Sequence, residues 1–552
     1  NTTGGNNPAV GMNCLLANTT GTENTALGAL SLDAVTTNSY NTAIGYQALT
    51  SNTACCNTAV GRNAMAVNTT GESNTAVGLN ALSSNTTASY NVSIGRNSLV
   101  NNTTGAYNTA LGWTALDANT TANYNTAIGS QALSGNSTGT ENVAVGRDAL
   151  LVSNGSENTA IGSKALDDNS TGGENTAVGY VALGANTTGS NNTAVGRASL
   201  DANTTASNNT AVGYSALGAN TTGTSHTAVG TNALRDITTN NNCTAVGKDA
   251  LKVNLTSGLT AVGFAALEGN TTGGANVAVG EQALATNTTA SYNTAVGYRA
   301  FYGGSGNGWG NTCVGNEAGY DITSAWGCTT IGNDCGKNIT TGQDNTCVGH
   351  NNSTALTTGT QNTIIGVSAA GTLTTGGSNV CIGMNAGSNQ LTTGSYQLYI
   401  GRSGVAAGND ELWIYGGSLG QCYQGNNSST WSTTSDIRLK KNITNSTKGL
   451  AEINQLRVTN FEYRKEDEID MSEFPLADGP HQVVLGKGKE GEIQTGVIAQ
   501  EIEEILPECI KVSEKGAKTV SNDPVIWALV NAVKELSAEN TALKERLDAA
   551  GL

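Results

Sequence analysis

The chain has 552 residues, of which 12% are charged and 5% aromatic, while glycine takes 71 positions and proline 5. This mixture is too poor in large apolar side chains for several ordinary globular cores, and too weakly charged for a disordered chain. The net charge of −16, with no basic stripe interleaved with aromatics, excludes a nucleic-acid binder.

The chain opens inside a repeat, at Asn1-Thr2-Thr3-Gly4 and without Met, so targeting and attachment signals are expected to precede it. No run of 18 or more apolar residues occurs, and no membrane span is expected. From there to about residue 415 one unit recurs, Asn-Thr-Ala-Val-Gly-x-x-Ala-Leu-x-x-Asn-Thr-Thr-Gly-x-x, as in 74–91. Its key glycine falls at 24 positions from Gly11 to Gly401, and of the 23 intervals 18 are 17 residues, three are 16 and two are 18. So strict a period means stacked rungs. Helix is disfavoured, because glycine recurs too often and no apolar stripe of period 3.6 persists.

Each rung is expected to hold two short strands. Thr-Ala-Val alternates as a pleated strand with one buried face, Ala-Leu supplies a second apolar pair, and Asn-Thr-Thr-Gly makes the outer turn. At about 4.8 Å per rung, the 24 rungs give a rod roughly 115 Å long. The fold class is thus all-β, a parallel β-solenoid or β-roll rod. Asn41-Thr42-Ala43-Ile44-Gly45-Tyr46-Gln47-Ala48-Leu49 and its copies resemble the head repeats of trimeric autotransporter adhesins. The resemblance spans about 1–415 and implies β-rolls of three chains side by side, although the adhesin unit is usually shorter. Three-fold association would supply core that one thin rung lacks.

The turn asparagines Asn18, Asn68, Asn85, Asn102, Asn119, Asn136, Asn169, Asn186, Asn203, Asn220, Asn254, Asn270 and Asn287 each head Asn-x-Ser/Thr, an acceptor sequon for N-glycosylation. The same residues also read as a stacked Asn/Thr ladder chosen for turn geometry, and sugars on every rung would crowd one another. The 11 cysteines are Cys14, Cys55, Cys56, Cys243, Cys313, Cys328, Cys335, Cys347, Cys381, Cys422 and Cys509. Several take the place of the strand alanine and read as small buried hydrophobes; their spacing fixes no pairing. No Cys/His cluster has metal-ligand spacing, and neither metal nor cofactor is expected. The least regular stretch runs from Phe301 to Trp309, with Trp326 nearby. It reads as a capped or bulged rung, or as aromatics that stack on sugars. Residues 411–431, with Trp413, Tyr415 and Trp431, are expected to end the rod, and 416–434 to form the rod end and linker.

Beyond this the repeat stops and Lys, Glu and Ile rise. Ser435-Asp436-Ile437-Arg438-Leu439-Lys440-Lys441-Asn442-Ile443 opens the new segment, followed by Val458-Thr459-Asn460-Phe461-Glu462-Tyr463 and Gly496-Val497-Ile498-Ala499-Gln500-Glu501-Ile502, then Leu506-Pro507-Glu508. In this order they resemble the intramolecular chaperone domain that ends phage tailspikes, endosialidases and other viral fibres, the S74 peptidase family. With the terminal helix the resemblance covers about 435–552 and implies a small α+β domain that cuts the chain once, between Thr434 and Ser435. It assigns Ser435 as nucleophile and Lys440 as general base. Taken alone, Ser435 reads as an N-cap or turn serine and Lys440 as a solvated charge. Ile526, Leu529, Val533, Leu536, Asn540, Leu543 and Leu547 alternate at spacings of 3 and 4, the a/d seam of a coiled coil over 525–548.

The expected function is a homotrimeric viral or phage fibre, extracellular or on the virion surface, that meets a host glycan or protein receptor. Attachment to the virion or cell would run through a segment ahead of residue 1. A cellular surface adhesin is the alternative, and a polysaccharide-degrading tailspike another, though no carboxylate pair recurs along the rod. An ice-binding threonine array is a weaker fourth.

Overall fold

The structure is a computed structural model that describes residues 3–304, 306, 308–388, 391–401, 412–414 (backbone), 441–474, 493–512 and 517–551. It divides into two compact units, Asn1–Thr433 and Thr434–Leu552.

In the first unit each repeat contributes one strand, three residues long from Thr25–Leu27 to Leu412–Ile414. Consecutive strands pair in parallel with like residues facing, as in Thr75↔Val92, Ala76↔Ser93 and Val77↔Ile94. Their middle residue points inward: Ala43, Ala59, Ala76 and Ala110 are fully buried. Behind them lie the alanine and leucine that follow the glycine, such as Ala81 and Leu82, also fully buried. The core is therefore one layer of small side chains thick, and each leucine contributes about 1.5–3 kcal/mol by leaving water.

Among the described residues the expected second strand is absent. Ala-Leu lies in a turn because three residues per rung adopt left-handed backbone, here Ser73 at φ 57°, Asn80 at 56° and Leu82 at 53°. Those corners fold the rung back on itself within 17 residues, and an extended pair cannot include Leu82. Hydrogen bonding to the next rung continues regardless, with Leu82 N–H donating to Ser98 O at 3.0 Å. A non-glycine residue in this region costs about 1–2 kcal/mol, which the buried leucine offsets. The key glycine is needed for space as well as conformation: at Gly78, with φ 138°, a Cβ would lie 2.5 Å from the carbonyl oxygen of Gly95.

Two columns of buried asparagine run beside the core. The one before each strand links rungs through its side chain, with Asn74 N–H donating to Asn57 Oδ1 at 2.9 Å and Asn74 Nδ2 to Ala88 O at 2.9 Å. The turn asparagines form the other. From Gly315 onward the packing changes. The leucine column becomes Gly319, Gly336, Ser353, Ala370 and Gly387, while the turn asparagine becomes Ile322, Ile339, Leu356, Leu373 and Leu391, all buried. The two changes exchange volume. A Cβ on Gly319 would lie 2.8 Å from Ile322 Cδ1, and one on Gly336 would lie 2.8 Å from Ile339 Cδ1. An apolar chain grown from one corner thus fills the space vacated at the other.

In the second unit, helix α1 (Leu450–Ile453) and helix α2 (Ala499–Ile505) flank two short antiparallel strand pairs, and helix α3 (Asn522–Ala549) closes the chain. Ile502, Leu506, Cys509 and Ala528 form its buried centre, with Ile453, Leu456, Val497 and Val520 packed against them.

Candidate functional site

The second unit is assembled from the motifs singled out in the sequence. Thr459–Phe461 pairs antiparallel with Gln494–Gly496, Thr459 opposite Gly496, so the two signature segments become neighbours. Phe461, Tyr463, Val497, Ile498 and Gln500 line an open depression of about 390 Å³ with Lys518 at its rim. The start of α1 is tied to α3: Leu450 N–H donates to Glu535 Oε2 at 2.7 Å, and Asn531 Nδ2 to Lys448 O at 2.9 Å. The Gly449 N–H donated to Glu452 holds that carboxyl below its ordinary value. Arg457 pairs with Glu501 across the segment joining α1 to α2, lowering the Glu501 carboxyl; both are exposed, so the pair is worth little to stability.

Thr434, Ser435 and Lys440 lie outside the described residues. The chain is described again from Lys441, and 441–447 are exposed before Gly449 becomes buried against α3. Residues 435–511 match the chaperone-of-endosialidase family, Peptidase_S74. They form a chaperone domain of that type, and the match begins at Ser435, one residue after the start of the second compact unit. None of the curated proteins or solved structures compared with the chain matches it.

Helix α3 of the second unit carries the seven seam residues on one continuous helix of 28 residues. Ala528 and Ala532 are buried, and Val525 packs on the domain core. At about 100° per residue, the seam of Ile526, Leu529, Val533, Leu536, Asn540, Leu543 and Leu547 lies about a quarter turn away from that face. Ile526 and Val533 are 50% and 59% exposed there, and Asn540 is exposed among them. The helix thus has one face used within its own chain and an apolar stripe facing solvent. No described helix is long and apolar enough to cross a membrane.

In the rod, the sequon asparagines sit inside. Asn102, Asn119, Asn186 and the other nine from Asn68 to Asn287 are fully buried, and Asn18 is 1% exposed. The two Nδ2 hydrogens of Asn85 go to Asn68 Oδ1 at 2.7 Å and to Ala88 O at 2.9 Å. Asn102, Asn186, Asn203 and Asn287 repeat the pattern. In the folded turn these side chains lie inside the rod.

One substitution in the first asparagine column copies the amide. His226 replaces its asparagine, and Cys243 N–H donates to Nδ1 at 3.2 Å while Nε2 lies 2.6 Å from Asn240 O. The neutral tautomer with its proton on Nε2 copies the acceptor and donor of an amide, and burial pushes its pKa down.

Cys243, Cys313, Cys328, Cys335, Cys347, Cys381 and Cys509 are buried free thiols. The strand register puts Thr330 between Cys313 and Cys347, and Ile364 between Cys347 and Cys381. Strand cysteines two rungs apart stand ~9.6 Å from one another, beyond disulfide reach. Burial pushes the Cys313 thiol up to about 12. Cys422 lies outside the described residues, as do Tyr415, Trp431 and the side chain of Trp413. Phe301 takes the leucine position and is fully buried. Trp309 is 53% exposed and stacks on Trp326, with ring centres 5.5 Å apart and planes at 5°. Among the described residues, no group of three or more His, Cys, Asp or Glu could hold a metal ion.

Proposed function

We propose that the chain is the subunit of a homotrimeric viral or phage fibre that contacts the host surface, and that its chaperone domain aligns three chains before cutting itself off at Ser435. The chaperone-of-endosialidase match directly following an in-register solenoid carries this reading. Its physical logic is register. Rungs that repeat almost identically pair as well one step out of place as in place, so three chains need an external alignment. The exposed seam of α3 offers one. The rod offers a matching surface. The residue before the key glycine is Val, Ile or Leu at all 24 positions, yet it points outward, with Leu27 47%, Leu111 43% and Ile161 41% exposed. An unbroken outward apolar column supports association of rods along their length.

The cut needs only two groups. Lys440, in its neutral form, takes the proton of the Ser435 hydroxyl as Oγ adds to the carbonyl carbon of Thr434. The Thr434–Ser435 C–N bond breaks, the amine leaves protonated, and water hydrolyses the resulting ester. Loss of the aligning domain leaves the rods unable to reassemble once separated, which makes the fibre kinetically stable. Sedimentation of the full chain and of a chain ending at Thr434 tests the assembly role. The expected result is a trimer from the first and no ordered trimer from the second. A truncated chain that trimerises unaided would remove the chaperone function.

A further inference from the structure

One surface column follows a simple rule. Six residues before the key glycine stands a mostly small residue, and where it is Ser, or Asn as at Asn123 and Asn241, its side-chain oxygen accepts the backbone N–H of the same column on the preceding rung. Thr22 donates to Ser39 Oγ at 3.0 Å, Glu72 to Ser89 Oγ at 3.0 Å, Ala106 to Asn123 Oδ1 at 2.7 Å, and Gly274 to Ser291 Oγ at 2.9 Å. Trp309 and Trp326 break the rule on successive rungs, and neither indole has an oxygen to offer. The fold gains nothing that serine does not provide, and it exposes a large aromatic surface instead.

The stack leaves one particular face open. Trp326 covers one side of Trp309, while the preceding rung presents only Ser291 toward the other. Tyr292, 70% exposed, stands beside it, and Thr289, Ala290, Ser291, Tyr292, Trp309 and Gly310 line an open depression of about 580 Å³. None of these six is charged. The tyrosine stack elsewhere on the rod differs: Tyr107 is sandwiched between Tyr90 at 4.9 Å and Tyr124 at 5.1 Å, so both its faces are covered.

We propose that the outer face of Trp309, walled by Tyr292, binds a neutral pyranose ring of a glycan. A flat indole face takes the C–H face of a sugar ring, while an open rim leaves the sugar hydroxyls to water and to the Ser291 and Tyr292 hydroxyls. The uncharged lining selects against sialylated or sulfated sugars, whose charge finds no partner there. The inference deepens the host-attachment reading above and rests on it.

The test uses the full-length protein, tryptophan fluorescence and an immobilised panel of neutral gluco-, galacto- and manno-oligosaccharides beside sialylated ones. Trp309→Ser restores the residue type that the column uses elsewhere, so it is expected to keep the fold; circular dichroism checks this. Tyr292→Ser is the second variant and removes the wall without touching the stack. Tyr107→Ser is the control. The parent is expected to bind at least one neutral oligosaccharide, with affinity lowered about tenfold or more in Trp309→Ser, lowered in Tyr292→Ser and unchanged in Tyr107→Ser. Unchanged binding in Trp309→Ser, or binding of sialylated glycans alone, would overturn the site and leave host attachment standing. Adhesion to host cells with no saccharide bound would overturn the saccharide and keep the fibre reading. A parent with neither activity fails both.

Discussion

The exchange of volume between Gly319 and Ile322 allows a double-mutant test of how the rod is packed. Gly319→Leu would set a Cβ 2.7 Å from Cys313 Sγ and 2.8 Å from Ile322 Cδ1. Overpacking of that kind costs about 1–3 kcal/mol, and a leucine at a φ of +60° adds about 1–2 kcal/mol. Ile322→Asn alone removes a fully buried side chain, about 2–3 kcal/mol, and buries an amide beside Ile339, about 1–3 kcal/mol more. Together the two substitutions rebuild the arrangement of the earlier rungs. The new leucine occupies the space isoleucine left, and the introduced amide can donate to Ala325 O as Asn85 donates to Ala88 O. The double variant should therefore be more stable than the sum of the singles by about 1–3 kcal/mol. Hydrogen exchange of the Gly319 amide, which donates to Cys335 O at 2.9 Å, reads this locally, as protection about tenfold or more above the additive expectation. Additivity within about 0.5 kcal/mol would show that the two side chains do not share a volume, and would refute the packing argument.

Asn102→Ala should lower the melting temperature, because it strands Asn85 Oδ1 and one hydrogen of Asn119, at about 1–3 kcal/mol each, while Gly105 O keeps Asn91 Nδ2. Thr104→Ala destroys the same sequon but touches only an exposed residue and should be nearly neutral; equal effects would argue against the ladder. The lowered pKa of buried His226 means that the unfolded chain binds a proton the folded one refuses, so stability is full above the ordinary histidine value of 6.5 and declines as pH falls below it. His226→Asn should abolish that component of the decline in a pH series of thermal melts. Under native conditions iodoacetamide should label exposed Cys56 and leave Cys313, Cys335 and Cys347 unmodified until the rod unfolds, as peptide mass mapping would show.

Much of this was legible in the sequence. The glycine period gave the spacing of the rungs, because any residue with a Cβ at Gly78 collides with the next carbonyl, but it missed the last strand, Leu412–Ile414, beyond Gly401. The segment from Ser435 was recognisable from its ordered motifs. What period and polarity could not reveal was conformation at the corners. Ala-Leu reads as half of a strand, and only the left-handed backbone of Leu82 shows that it is a turn. The turn asparagines read as sequons or as a stacked ladder, and only the structure shows that they are fully buried. The ordinary 17-residue period already places Trp309 and Trp326 one rung apart, but only the structure shows that their rings stack.

Removal of the chaperone domain by its own Ser435 is tested most directly by the intact mass of the purified full-length protein beside a Ser435→Ala variant. Self-cleavage predicts a rod ending at Thr434 and a separate fragment beginning at Ser435 in the parent, with the variant uncut. Full-length mass in both would contradict it, leaving a domain that stays attached to the rod.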